Sequence, residues 1–229
     1  MTVTTVSERA PAAFSDRLRA ASWGAHEAAA RSPVMRALFA RELPVTAYAA
    51  VAARLVPVYA ALEAGAADAV ADPAVAAVVG DCAVLPRTPA LHRDLADLVG
   101  PARAAGLVAE AAADPVVARY ADRIRDVARA WPAGYVAHHY TRVMGDLSGG
   151  RAIAHVLARD HGLTAARGAS FYAFDRVGDP DAYKARYRAA LDDAPWDEAE
   201  QERIVAEVLG AYRANHELLA GVPVDPRGA

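Results

Sequence analysis

The sequence predicts an all-α, single-domain helical bundle, and three observations carry that reading. Alanine pervades the chain, so 55% of residues are hydrophobic while only 7% are aromatic. Apolar and polar residues rarely alternate, which removes the period-2 signature of half-buried strands. Proline recurs after Ser, Thr or Asp at places that suit helix starts. At 229 residues the chain is long enough to bury a sizeable core as one domain.

A first helix runs from Asp16, behind Ser15, to about Arg31, and Ser32-Pro33 opens a short second one. A long apolar run extends from Pro44 to Ala71, with Pro57 inside it predicting a kink. Asp72-Pro73 starts a short piece. Thr88-Pro89 reads as a cap and first-turn proline for a helix to about Val99, and residues 100–114 carry a weaker helical pattern. Asp114-Pro115 opens a helix to about Ala130. Pro132 opens another that runs through three glycines to about Asp160. Asp179-Pro180-Asp181 starts a helix to about Leu191, and Asp197 with Glu200 resembles a capping box for a last helix over 198–220. The expectation is roughly eight helices and no convincing strand, with one domain over 14–221 between flexible ends at 1–13 and 222–229.

Several classes fall away on composition. A net charge of −3 gives no bulk electrostatic case for binding nucleic acid. The one cysteine, Cys82, excludes an internal disulfide, reads as an ordinary packing residue, and makes a reducing, cytoplasmic compartment the expectation. The N-terminus lacks a basic segment followed by an apolar one, so no secretory signal is expected. Arg54, Glu63 and Asp68 interrupt the apolar run 45–71, so no membrane helix or anchor is expected.

One stretch departs from this pattern. GDLSGG, 145–150, puts three glycines inside a helical run, each costing about 1 kcal/mol against alanine. Gly145 and Gly149 are four apart and share a face, which Gly150 widens. Close helix packing would explain them, as would the approach of something large and flat to bare backbone. Arg142 and Asp146, also four apart, favour the second, because a packing seam has little use for an Arg and an Asp at its edge. A flat macrocycle such as heme needs an axial ligand, usually histidine. Of seven histidines, His26 stands out. Ala25, Ala28, Ala29 and Ala30 leave room beside it, and Arg19 lies two turns earlier on the same face.

These residues carry a resemblance. YTRVMGDLSGGR, 140–151, resembles the distal-helix signature of the heme oxygenases, and GAHEAAARSPVMRALF resembles their proximal segment, aligning His26 with the axial ligand. VYAALE, RYADRIRDV, YKARYR and AYRANHELL come in the family's order, so the resemblance covers about 14–221. It implies heme, as substrate and cofactor, held between the two helices with its iron on His26. Gly145, Gly149 and Gly150 would let distal backbone lie near the heme face and leave room for O2.

The resemblance further implies that Asp146 works through water to deliver a proton, within a network of Tyr59, Tyr120, Arg142 and Asn215. Tyr59 and Tyr120 read equally as core aromatics, Arg142 as a surface partner of Asp146, and Asn215 as an exposed helix residue. Arg19, Lys184 and Arg188 would hold the propionates, with a hydrogen bond from Tyr140; a solvated face is the plain alternative. Met35, Tyr212 and Leu219 match the pocket wall. Cleavage to biliverdin IXα, CO and Fe2+ is expected. Electrons would come from an external ferredoxin, flavoprotein or reductase, since no Gly-rich nucleotide motif comes after a strand. Ala30 stands where many relatives carry the Glu that orients the axial imidazole, and Glu27 points about 100° away. A heme carrier or sensor without turnover is the rival reading. A relative acting on thiamine or holding two metals is a weaker one, since inward Glu-x-x-His pairs are missing.

Overall fold

The computed structural model describes residues 12–80 and 86–224. Cys82 and most of the two predicted flexible ends lie outside them. Among the described residues eleven α-helices form: α1 (Phe14–Ala30), α2 (Pro33–Ala40), α3 (Val45–Ala69), α4 (Pro73–Val79), α5 (Thr88–Val99), α6 (Pro101–Ala113), α7 (Pro115–Ala130), α8 (Pro132–His139), α9 (Gly145–His161), α10 (Pro180–Asp193) and α11 (Glu198–Ala220). The count exceeds the eight expected. Residues 101–113 make a full helix, and the glycine-bearing helix is divided by a five-residue π turn, Tyr140–Met144. Among the described residues no strand forms; isolated bridges join Thr164 to Arg167 and Gly168.

Five of the helix starts are capped by local chemistry. Ser32, Asp72, Asp114, Asp179 and Asp197 each accept a backbone N–H of the helix they open. The capping box at Asp197 is half made. Its carboxylate takes the Glu200 N–H at 2.8 Å, but the Glu200 carboxylate is drawn away to Trp131 Nε1 and Arg203. Two expected starts differ. Ser15 lies inside α1, where its N–H and Oγ donate to Asp192 at 2.7 and 3.0 Å and tie α1 to α10. Thr88 does not cap α5. Glu63 of α3 accepts the Arg87 and Thr88 N–H groups at 2.6 and 2.8 Å, a distant side chain replacing the local one.

The core is built around α3, a continuous helix of 25 residues with Pro57 inside it, which packs against α5, α6, α7 and α8. By length and composition alone α3 is apolar enough to cross a membrane despite its charges, a test that a buried core helix also passes. In this fold 67% of its most apolar window is buried. Arg54 is accommodated inside by Asp114 at 2.8 Å and the Leu218 carbonyl at 3.0 Å. At the other side, α1 packs on α10 and α11, and α8 packs on α7 and α11.

A loop after α9 is held from beneath by α5. The Asp94 carboxylate, 1% exposed, accepts the Ser170 and Phe171 N–H groups at 2.8 Å each. Arg87 adds bonds to the Phe171 and Ala173 carbonyls at 3.1 and 2.7 Å. Asp94→Ala would leave two backbone donors without partners. We expect it to lower unfolding free energy by about 2–4 kcal/mol, read from urea midpoints.

Both histidines of α8 are buried. His139 Nδ1 lies 3.2 Å from Tyr187 Oη, with the rings stacked 5.6 Å apart. Burial lowers its pKa from 6.5 to about 3. The unfolded chain therefore takes up a proton below 6.5 that the native state refuses until about 3. Stability should fall as pH drops through that window. His139→Phe should flatten the slope in unfolding curves measured across it.

Candidate functional site

The site forms where α1 faces the π turn and the start of α9. A cleft of two lobes lies there, each enclosing about 270 Å³ and both bordered by His26, Gly145 and Tyr212. Together they fall in the range of about 300–1,000 Å³ usual for cofactor pockets. One lobe is lined by Arg19, Trp23, Tyr140, Ser148 and Arg188. The other is lined by Ala30, Met35, Arg142, Asp146, Gly149, Tyr172, Asn215 and Leu219, among others. A larger hollow of about 520 Å³ between α3 and α6 contains none of these groups. Volume does not choose the site here; the chemistry of the lining does.

The π turn aims the polar wall. It places Arg142 and Asp146 so that Arg142 Nη2 donates to Asp146 Oδ2 at 2.7 Å. Tyr59 Oη, from α3, donates to the same oxygen. Arg142 Nη1 donates to Asn215 Oδ1 on α11, and the guanidinium sits 5.7 Å from the Tyr59 ring. Arg142 and Asn215 are both buried. This replaces the alternatives of a surface Arg and an exposed Asn with one interior network, as such groups require. Both protein bonds fall on Oδ2, and Asp146 Oδ1 has no partner among the described residues.

Burial pushes the Tyr59 phenol well above its usual pKa, and the adjacent Asp146 pushes it further, so it stays a donor. Burial works against the Arg142 charge, but Asp146, Tyr59 and Tyr120 outweigh it and hold its pKa above the usual value. Tyr120 is buried behind this network rather than on the cleft wall.

His26 is exposed toward the cleft and has no hydrogen-bond partner among the described residues. The Trp23 ring stacks on it at 5.4 Å, and Tyr212 presents an edge at 6.3 Å. Aromatic packing therefore holds the imidazole that the sequence left without an orienting Glu. Glu27 pairs with Arg31 at 3.4 Å, away from His26. Tyr212 has its pKa raised to about 12 by burial and by Tyr140.

The three glycines divide. A Cβ built on Gly145 or Gly149 meets nothing within 4 Å, so both border open space. A Cβ on Gly150 falls 2.8 Å from Tyr172 Cδ1; its missing side chain makes room for that ring. The close-packing explanation thus holds for Gly150, and the open-cleft explanation for the other two. Arg19, Tyr140, Arg188, Met35 and Leu219 all line the cleft. Lys184 lines neither lobe and pairs with Asp181 at 2.6 Å. Tyr172, on the loop that Asp94 holds, escaped sequence reasoning because no motif marks FYAFDR.

The residues fit a large flat amphiphile. Trp23 and Phe39, 50% and 49% exposed, are the large apolar side chains left open among the described residues, and each lines one lobe. An imidazole stands between them, bare backbone faces it, and Arg19 and Arg188 gather in one lobe. Fold and cleft define the class: an all-helical domain with an open cleft between its first helix and a glycine-rich one.

Comparison with known proteins narrows the class. A family model described as heme oxygenase matches residues 12–221. The heme oxygenase 1 of Synechocystis is 43% identical over 96 residues, 42% of this chain and 40% of that protein. The heme oxygenase 1 of Nostoc is 39% identical over 101 residues, 44% of this chain and 42% of that one. These matches thus span less than half of the curated relatives' length. Solved structures align more widely. Synechocystis heme oxygenase-2 in complex with heme and NO superposes with a TM-score of 0.81 at 28% identity, covering 91% of this chain and 84% of that one. The heme oxygenase of Leptospira interrogans gives 0.79 at 28%, covering 91% and 99%. The chain belongs to the heme oxygenase family.

Proposed function

We propose that this protein binds heme in the two-lobed cleft and converts it, with O2 and external electrons, to biliverdin, CO and Fe2+. The observation that carries this reading is a carboxylate, Asp146, locked into an interior network on the wall facing a bare imidazole. When bound, heme supplies the iron where O2 reacts and the porphyrin edge that is oxidised.

The chain's own residues do the rest. His26 would hold the iron, with Trp23 and Tyr212 packed on its ring. Gly145 and Gly149 keep side chains out of the cleft and would leave room there for O2. Arg19 and Arg188, with Tyr140 nearby, would receive the propionates and so orient the ring in the cleft; the IXα isomer is the expected product. Tyr59 and Arg142 together hold Asp146 Oδ2. Its other oxygen is then available to a water, which makes the carboxylate an indirect and mild proton donor. The donor of electrons is a separate ferredoxin or flavoprotein.

Hemin titration with a reductant added in air tests the reading. The bound-heme band should form, then give way to biliverdin absorption. His26→Ala should weaken hemin binding at least about 10-fold, a loss of roughly 1.4 kcal/mol. A stable heme complex that never yields biliverdin would instead identify a carrier or sensor.

A further inference from the structure

Contacts among α3, α5 and the loop after α9 close a ring beside the wall that carries Asp146. Glu63 comes one turn after Tyr59 on α3 and shares its face. Its carboxylate accepts the Arg87 and Thr88 N–H groups and so fixes the start of α5. From there Arg87 and Asp94 reach the loop. The loop brings Phe171 back onto Tyr59, the two rings meeting edge to face at 5.1 Å. The path leaves α3 at Glu63 and returns to it one turn away.

Phe171 is the closing piece, and α5 grips it on both sides. Its N–H donates to Asp94 Oδ2 at 2.8 Å, and its carbonyl accepts from Arg87 Nη1 at 3.1 Å. The residues around it are tied as well. Gly168, at φ 77°, donates its N–H to Asp97 at 3.0 Å, and Ser170 donates to Asp94 Oδ1 at 2.8 Å. The Arg87 guanidinium takes the Ala173 carbonyl at 2.7 Å and lies 4.9 Å from the Phe174 ring. Connecting segments ordinarily run over the surface with few such ties. Two rings of this one meet the site. Phe171 packs on Tyr59, the phenol that donates to Asp146. Tyr172, 4.9 Å from the Phe171 ring, fills the space at Gly150 and lines the cleft. Arg87 and Asp94 themselves line neither lobe.

We propose that Arg87 and Asp94, both outside the cleft, are positioning residues for its Asp146 wall, acting through the placement of Phe171 against Tyr59. Edge-to-face packing constrains the Tyr59 ring, and the place of that ring decides whether its hydroxyl meets Asp146 Oδ2. Tyr172 moves with Phe171, so the same clamp fixes the cleft wall at Gly150. A shift of about 1 Å in a group far from the reacting atoms can cost 10²-fold in rate. The effect on rate rests on the reading of Asp146 above; the placement of the two rings does not.

The test begins on heme-free protein labelled with 13C at tyrosine. Asp94→Ala should shift the ring signals of Tyr59 and Tyr172 and leave that of Tyr187, stacked on His139, in place. Asp72→Ala serves as the matched control. It too removes a carboxylate that accepts two backbone N–H groups, but at the start of α4, so it should lower stability and move neither ring. With hemin saturating, Asp94→Ala should form biliverdin at least about 10-fold more slowly, and Asp72→Ala at the wild-type rate. Asp94→Asn, which keeps one acceptor, should recover part of the loss. Phe171→Leu should also be slow, and the double variant with Asp94→Ala no slower than the slower single one, since both break the same path. Unmoved Tyr59 and Tyr172 signals, or losses of rate that multiply in the double variant, would overturn the proposal. If Asp94→Ala does not fold, Asp94→Asn and Phe171→Leu decide by the same signals and the same comparison. A wild type that yields no biliverdin would refute the proposed reaction, while the heme-free ring signals would still decide the clamp.

Discussion

Asp146→Ala should bind heme as tightly as the wild type and form biliverdin about 100-fold or more slowly. General acid–base groups contribute roughly 10²–10⁴ in rate, and removing this one deletes the acceptor for Tyr59 and Arg142 as well. Asp146→Asn separates the two effects. It keeps an oxygen for both donors and loses the charge, so it should fold like the wild type and still be slow. Single-turnover spectra with reductant in air provide the reading. Biliverdin forming at the wild-type rate in the alanine variant would remove Asp146 from the mechanism.

A pair of leucine substitutions at adjacent glycines should have opposite outcomes. At Gly149 a side chain enters open space. Gly149→Leu should therefore keep or raise the melting temperature, since glycine costs a helix about 1 kcal/mol, while it fills the cleft and weakens hemin binding at least about 10-fold. At Gly150 the new atoms meet Tyr172. Gly150→Leu should destabilise by about 1–3 kcal/mol through overpacking, displacing Tyr172 from the cleft wall. Thermal melts alongside hemin titrations separate the two. Equal losses of stability would mean that neither residue borders a cavity.

The helical class and most helix starts were legible because they depend on neighbours in sequence. The Asp or Ser of an Asp-Pro or Ser-Pro pair caps the helix that its proline begins, as at Ser32, Asp72, Asp114 and Asp179. Thr88 failed because a carboxylate 25 residues away took its place, and no local rule foresees that. In the site, His26, Asp146 and Arg142 were readable from spacing and family likeness together. Tyr172 and Asp94 were not, since their importance arises only when a loop folds back over α5. Spacing along GDLSGG also treated three glycines alike, whereas the fold gives them two different neighbours. Lys184 had the right spacing from Arg188, yet its ammonium is taken up by Asp181 on the same helix.

The turn at Tyr140–Met144 sets the rotational phase of everything after it. It fits one more residue into a coil than regular geometry allows, and one residue is worth about 100° around a helix axis. A chain one residue shorter here would have an unbroken, better-formed helix whose acidic and bare faces pointed elsewhere. Local regularity is given up so that two neighbouring stretches of one rod can each keep the orientation its own partners demand.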